Sequence, residues 1–158
     1  MKFKFLEHTA DIKFQAFGNS VEEVFENSAL AMFNAMHEGK VKETKKKKIE
    51  VKGDDLENLL YNFLEELLFL FDSEGFFLGK VDDLKISKDT VSKKQSGREK
   101  KNKFKTKEGG LKLNTEVIGD KAENYSFNID VKAVTYNEMF VKFDDKKKKW
   151  TAQVVIDV

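Results

Sequence analysis

The sequence of 158 residues contains no cysteine and only two histidines. The absence of cysteine excludes disulfide bonds, zinc–thiolate sites and cysteine nucleophiles. With so few soft ligands, any metal site in this chain has to be built mainly from oxygen atoms.

Long apolar runs are also missing. No segment approaches the ~18 consecutive apolar residues that span a bilayer, and the first residues are too polar for a signal peptide. We therefore expect a cytoplasmic protein with no membrane partner. The sequence has no GxxxxGK[ST], GxGxxG, HExxH or GxSxG motif, so an ordinary nucleotide-binding enzyme or hydrolase is unsupported.

An excess of charge of one sign is absent as well. Lys and Arg number 29 and Asp and Glu 28, for a net charge of +1. A global field that attracts nucleic acid is therefore excluded, and no DNA partner is expected. Lysine runs at 45–48, 93–105 and 146–149 indicate solvated surface or, alternatively, local patches that dock on RNA or on an acidic partner. The basic stretch contains a single aromatic residue, Phe104, so it lacks the aromatic series of a base-stacking surface.

Apolar residues are plentiful, at 40% of the chain with 15 Phe, and predict one domain over residues 1–158. A capping box at Ser20–Glu23 starts a helix over about 20–37. Leucine and phenylalanine at helical spacing from Leu56 to Phe71 predict a second helix that starts at 53–55, with Asp54 and Glu57 in capping spacing, and ends at Gly75. Alternating segments predict about eight strands, in the regions 3–5, 12–17, 76–78, 81–86, 111–117, 127–133, 139–143 and 150–156, with a further possible short strand at 49–51.

The order of these elements predicts the fold class. Strands are grouped instead of alternating with helices, which favours an α+β fold in which two long amphipathic helices pack on largely antiparallel β-sheet. Between about 88 and 110 the sequence is polar, basic and rich in turn residues. We predict an exposed loop there.

Two acidic positions suggest a site. Glu7, His8, Thr9 and Asp11 cluster in a short connection between the first two predicted strands, and Asp157 closes an apolar run near the other end of the chain. If the two ends meet, Asp11 and Asp157, with main-chain carbonyls or the terminal carboxylate of Val158, form an oxygen-rich site suited to Ca²⁺ or Mg²⁺. The alternative is a plain turn, in which Asp and Thr bond to their own backbone and His is merely exposed.

Five short motifs along the chain are informative when they are taken together. In chain order they are FKFLEHTADI at 3–12, ALAMF at 29–33, GDDLENLL at 53–60, KAVTY at 132–136 and VVIDV at 154–158. Together they resemble the archease family over the whole chain. There are two departures: Asn137 stands where the family usually has His, and the 88–110 region is longer and more basic than usual.

The resemblance implies a function that the spacing of residues alone does not identify. Archeases are helper proteins of the RNA-splicing ligase RtcB, which joins RNA ends such as tRNA exon halves through a guanylylated histidine. The resemblance implies a non-catalytic activator that promotes this guanylylation and multiple turnover, and that associates with tRNA only indirectly. It also implies calcium, with Mg²⁺ or Mn²⁺ as substitutes, at Asp11, Asp157 and Val158, and an important role for Lys132. The alternative is an RNA-binding or chaperone module that acts through its lysine-rich loops.

Overall fold

A computed structural model describes residues 1–89 and 110–158. It contains two α-helices and seven strands, with a 3-10 turn at Ala122–Asn124. In chain order they are β1 (Phe3–Leu6), β2 (Ile12–Gly18), α1 (Val21–Met36), β3 (Lys45–Gly53), α2 (Leu56–Glu74), β4 (Phe76–Lys88), β5 (Leu111–Lys121), β6 (Ala133–Asp144) and β7 (Lys149–Asp157). Most of the predicted basic loop at 88–110 lies outside the described residues. In the part of the chain described, no helix has the length and apolar character required to cross a membrane.

Both helices form where the periodicity predicts them, and both begin at a side-chain cap. At α1 the Ser20 hydroxyl accepts from the amide of Glu23 at 3.1 Å, and the Glu23 carboxylate accepts from the amide of Asn19 at 2.6 Å. The cap of α2 is Asp55, whose side chain accepts from the Asn58 amide at 2.8 Å. Asp54, the predicted cap, lies one residue too early. Gly75 ends α2 with φ of 66°, in the left-handed region that glycine favours.

The strands form two antiparallel sheets. The first sheet has the order β1-β2-β7-β6 and the second has the order β3-β5-β4. Elements from both sheets and both helices share one hydrophobic core. The α+β class and the antiparallel pairing therefore agree with the prediction, with seven strands in two sheets.

Two strand predictions differ from the structure. The segments 76–78 and 81–86 form one strand, β4, whose pairing with β5 shifts register near Gly79 and again near Asp83. The predicted strand at 127–133 is wrong. The amide of Asn128 donates to the carbonyl of Met36 at the end of α1, and the segment meets strand β7 at its last two residues, Lys132 and Ala133.

Helix α2 covers two sheet edges. Its Glu57 and Glu65 carboxylates accept from the amides of Val141 and Val134 on β6, at 3.1 and 2.9 Å. Its Asn62 amide donates to the carbonyl of Lys52 on β3 at 2.7 Å. Edge strands present unpaired main-chain groups, and α2 satisfies two of them on β6 and one on β3.

Candidate functional site

Strand β7 brings the predicted site residues together. Ile12 of β2 pairs with Ile156, and Ala133 of β6 pairs with Asp157. Asp11 therefore precedes β2 beside the end of β7, while Lys132 lies on the other side of β7 and donates its amide to the carbonyl of Asp157 at 2.7 Å. Asp11, Lys132, Asp157 and Val158 consequently meet at one corner of the first sheet.

Asp157 and Lys132 have no side-chain partners among the described residues at this corner. The side chains of Asp157 and Lys132 are exposed, and neither makes a hydrogen bond or an ion pair with residues 1–89 or 110–158. Within the same residues, Thr9 and Asp11 make no side-chain hydrogen bond to the backbone, unlike the plain turn considered above. Because Ile12 pairs with Ile156 and adjacent strands lie about 4.8 Å apart, the two aspartates occupy neighbouring backbone positions. Such a pair fits a divalent cation.

The turn that carries Asp11 is fastened to β6. His8 Nε2 lies 3.2 Å from Glu138 Oε2, and Lys13 Nζ donates to Glu138 Oε1 at 3.0 Å. The hydrogen bond from Lys13, followed by that from His8, lowers the pKa of the Glu138 carboxyl below its usual range. Glu138 is thus an ionised acceptor that holds the turn in place.

Glu138 occupies an irregular stretch of β6. Pairing with β7 shifts register between Thr135 and Phe140, and Glu138 has φ of 56°. Positive φ at a residue with a Cβ costs about 1–2 kcal/mol. The carbonyl of Glu138 accepts from Gln153 Nε2 at 2.8 Å, and Gln153 Oε1 accepts from Gln15 Nε2 at 2.9 Å. The fold therefore holds a strained residue against the predicted site.

Sequence reasoning missed Glu138. The available signal was the break in apolar–polar alternation at Tyr136-Asn137-Glu138, inside a segment that otherwise alternates as a strand. Asn137, the departure from the family pattern, is exposed. Its amide donates to the Thr135 hydroxyl at 3.3 Å, and its side chain makes no hydrogen bond with the described residues.

His8 leaves one ring nitrogen unused. Its Nδ1 is buried and has no hydrogen-bond partner among the described residues, and it lies 3.9 Å from Asp11 Oδ2. No group of three or more His, Asp or Glu side chains suited to a metal is preassembled in residues 1–89 and 110–158. A cation at this corner would thus be held by Asp11 and Asp157, and its remaining ligands would be main-chain oxygens, Val158 or solvent.

A cleft of about 660 Å³ opens beside the turn. One wall is formed by β1 and the turn, the other by the end of α1. Glu7, Asp11 and Glu38 contribute carboxylates to its lining, and no Lys or Arg does. The candidate site therefore sits at an acidic, accessible edge of the molecule.

The lysine runs lie elsewhere. Residues 45–48 belong to β3 and not to a loop, and Lys48 pairs in register with the acidic Glu116 of β5. At the β6–β7 turn, the amides of Lys146 and Lys147 donate to Asp144 Oδ1 at 2.9 and 3.3 Å. The lysine-rich stretch at 93–105 lies outside the described residues.

Comparison with known proteins gives a consistent result. The model of the archease protein family matches residues 3–158. Protein archease of Pyrococcus abyssi is 40% identical over 159 residues, covering 99% of both chains. Protein archease of Methanosarcina acetivorans is 37% identical over 160 residues, covering 99% of this chain and 96% of its own. A solution structure of a Methanobacterium thermoautotrophicum protein superposes with a TM-score of 0.72 at 31% identity and covers 99% of each chain.

Proposed function

Because the chain belongs to the archease family, we propose that it is a non-catalytic activator of the RNA-splicing ligase RtcB. In this role it promotes guanylylation of the ligase and allows multiple turnover during tRNA splicing. Its association with tRNA is indirect and runs through the ligase. The chain itself supplies no nucleophile or general base to the ligation.

One observation carries the proposal: two carboxylates and a lysine converge at the end of β7 without neutralising one another. Asp11 and Asp157, with Val158, are the proposed ligands of a divalent cation, Ca²⁺ with Mg²⁺ or Mn²⁺ as substitutes. Such an ion neutralises phosphate charge and positions phosphate oxygens. Lys132, exposed on the other side of β7, is free to contact phosphate or a carboxylate of the ligase.

The test is a guanylylation and multiple-turnover ligation assay with the cognate ligase, GTP and divalent metal. Wild-type protein is expected to raise turnover, and Asp11→Ala or Asp157→Ala to lower that gain by about tenfold or more, as for damaged metal sites. Asp145→Ala is the matched control, because Asp145 is an exposed carboxylate in the β6–β7 turn. Unchanged activation by both site variants contradicts the proposed role of this corner.

The alternative function, RNA binding or chaperone action through lysines, predicts a different pattern. Neutralising Lys46 and Lys48 together, or the lysines of 93–105, would then abolish activity, and binding to RNA would fall steeply with salt. Activation that survives these changes but not Asp11→Ala supports the activator.

A further inference from the structure

We propose that His8 supplies a nitrogen ligand, through Nδ1, to the cation at Asp11, and that Glu138 is the positioning carboxylate of that ligand. The inference rests on the cation site of the proposed function but not on ligase activation. It changes the expected donor set from oxygen alone to oxygen plus one imidazole nitrogen.

The tautomer of His8 follows from its partner. An ionised carboxylate only accepts hydrogen bonds, and Glu138 Oε2 lies 3.2 Å from His8 Nε2. The proton of the neutral ring must therefore sit on Nε2. This assignment leaves a lone pair on Nδ1, the nitrogen that faces Asp11.

The distance between His8 Nδ1 and Asp11 Oδ2 is short enough for one ion to contact both atoms. At 3.9 Å the pair is too far apart for a direct hydrogen bond. Two ligands that each lie about 2.0–2.2 Å from one metal can be at most about 4.4 Å apart. Nδ1 is also buried and unpartnered among the described residues, so a ligand at this point would satisfy an otherwise unmet polar atom.

The surroundings hold the ring in this orientation. Metal-bound histidines generally donate their other N–H to a carboxylate or carbonyl, which fixes the ring and its tautomer. Glu138 is in turn held by Lys13 Nζ at 3.0 Å and, through its carbonyl, by Gln153 at 2.8 Å. The strained φ of Glu138 is thus explained as the backbone geometry that aims its carboxylate at His8.

The donor set has a consequence for metal choice. Imidazole is a good ligand for first-row transition ions, whereas Ca²⁺ prefers oxygen. We infer that the site binds a divalent transition ion through His8 and Asp11, and that Ca²⁺ at the same corner depends on the carboxylates alone.

A competing arrangement predicts the opposite effect of His8 on metal affinity. If His8 were a cation paired with both Asp11 and Glu138, it would repel a metal ion. Replacing it with a neutral residue would then leave metal affinity unchanged or raise it.

The experiment titrates chelator-treated, full-length protein separately with Co²⁺, followed by its visible absorption, and with Ca²⁺, followed by calorimetry. For His8→Gln we expect at least a tenfold loss of Co²⁺ affinity and an altered Co²⁺ spectrum, with a much smaller change in Ca²⁺ affinity. Glu138→Gln should lower the affinity for Co²⁺ by about 10–100-fold. Asn137→Ala, in the same stretch of β6 but without side-chain hydrogen bonds to described residues, should match wild type.

Three results overturn the proposal. They are equal losses of Co²⁺ and Ca²⁺ affinity in His8→Gln, no loss of Co²⁺ affinity in His8→Gln, and no saturable Co²⁺ binding by wild type. Equal losses would mean that His8 only supports the turn. Far-UV circular dichroism of each variant separates these results from misfolding. Because no ligase is present, a protein that binds Co²⁺ through His8 yet fails to activate the ligase would refute the proposed function and leave this inference standing.

Discussion

At the scale of single residues, Asp120 is a buried carboxylate whose charge is met by neutral donors. It is 3% exposed and accepts from the Thr44 hydroxyl at 2.6 Å, the Tyr125 hydroxyl at 2.7 Å and the Asn124 amide at 3.3 Å. These bonds, that of Thr44 first, hold the pKa of Asp120 well below its usual range. Asp120 thus ties the residue before β3 to the end of β5.

This arrangement makes stability depend on pH. Since the pKa of Asp120 is lowered in the folded state, its contribution is present above the unfolded value of about 3.9 and is lost as pH falls below it. We expect Asp120→Asn to melt at a lower temperature than wild type at pH 7. The difference should shrink as the pH is lowered toward 3, as measured by thermal denaturation.

The control for Asp120 is Asp145→Asn, an exposed carboxylate that should follow wild type at every pH. A difference between Asp120→Asn and wild type that stays constant from pH 7 to pH 3 would mean that charge is not what these donors stabilise.

The candidate site was only partly predictable at this scale. Asp11 and Asp157 stood out because each is an acid beside an apolar strand, and the β2–β7 pairing brings these two positions together. The contact between His8 and Glu138 joins residues 130 positions apart. It depends on an irregularity in pairing, and no local pattern encodes such a long-range contact.

At the scale of elements, α2 contributes to stability through its glutamates as well as its apolar stripe. Glu65→Ala would leave the amide of Val134 without its acceptor, and Val134 is 2% exposed. Loss of a partner for a buried donor costs about 1–3 kcal/mol. We therefore expect Glu65→Ala to lower the free energy of unfolding by about 1–3 kcal/mol in urea titrations.

Glu66→Ala provides the comparison on the same helix, because Glu66 makes no hydrogen bond or ion pair with the described residues. Equal losses for the two variants would show that helix propensity, and not the bond to β6, accounts for the effect.

Elements differed in how well the sequence predicted them. The helices were predictable because their apolar spacing and caps are local. The segment 127–133 alternates like a strand, yet Asn128 bonds to the end of α1 and Phe127 stacks on Phe77 at 5.2 Å. Alternation reports burial on one side, and it does not reveal whether another strand is available to pair with.

At the scale of the whole molecule, the two sheets share one core, with Phe77 near its aromatic centre. This side chain is 1% exposed and packs against Phe33, Tyr125 and Phe127, with ring centroids 5.1, 5.7 and 5.2 Å away. Phe77→Ala should lower the free energy of unfolding by about 3–5 kcal/mol.

The shared core also predicts cooperativity. Phe77 lies on β4 in the second sheet, whereas the single tryptophan, Trp150, lies on β7 in the first. Trp150 fluorescence and far-UV circular dichroism should therefore shift together in Phe77→Ala, as a two-state domain requires. A tryptophan transition that keeps its wild-type midpoint would mean that the sheets unfold independently.

The position of β3 has a consequence for how the protein behaves in concentrated solution. β3 is an outer strand of the second sheet, and four consecutive lysines, Lys45–Lys48, open it. Positive charge on an outer strand opposes pairing with the same strand of another copy. Because dissolved ions screen this repulsion, with a Debye length near 10 Å at 0.1 M and 3 Å at 1 M, the protection against self-association weakens as ionic strength rises. The lysine run thus ties colloidal stability to the salt content of the medium.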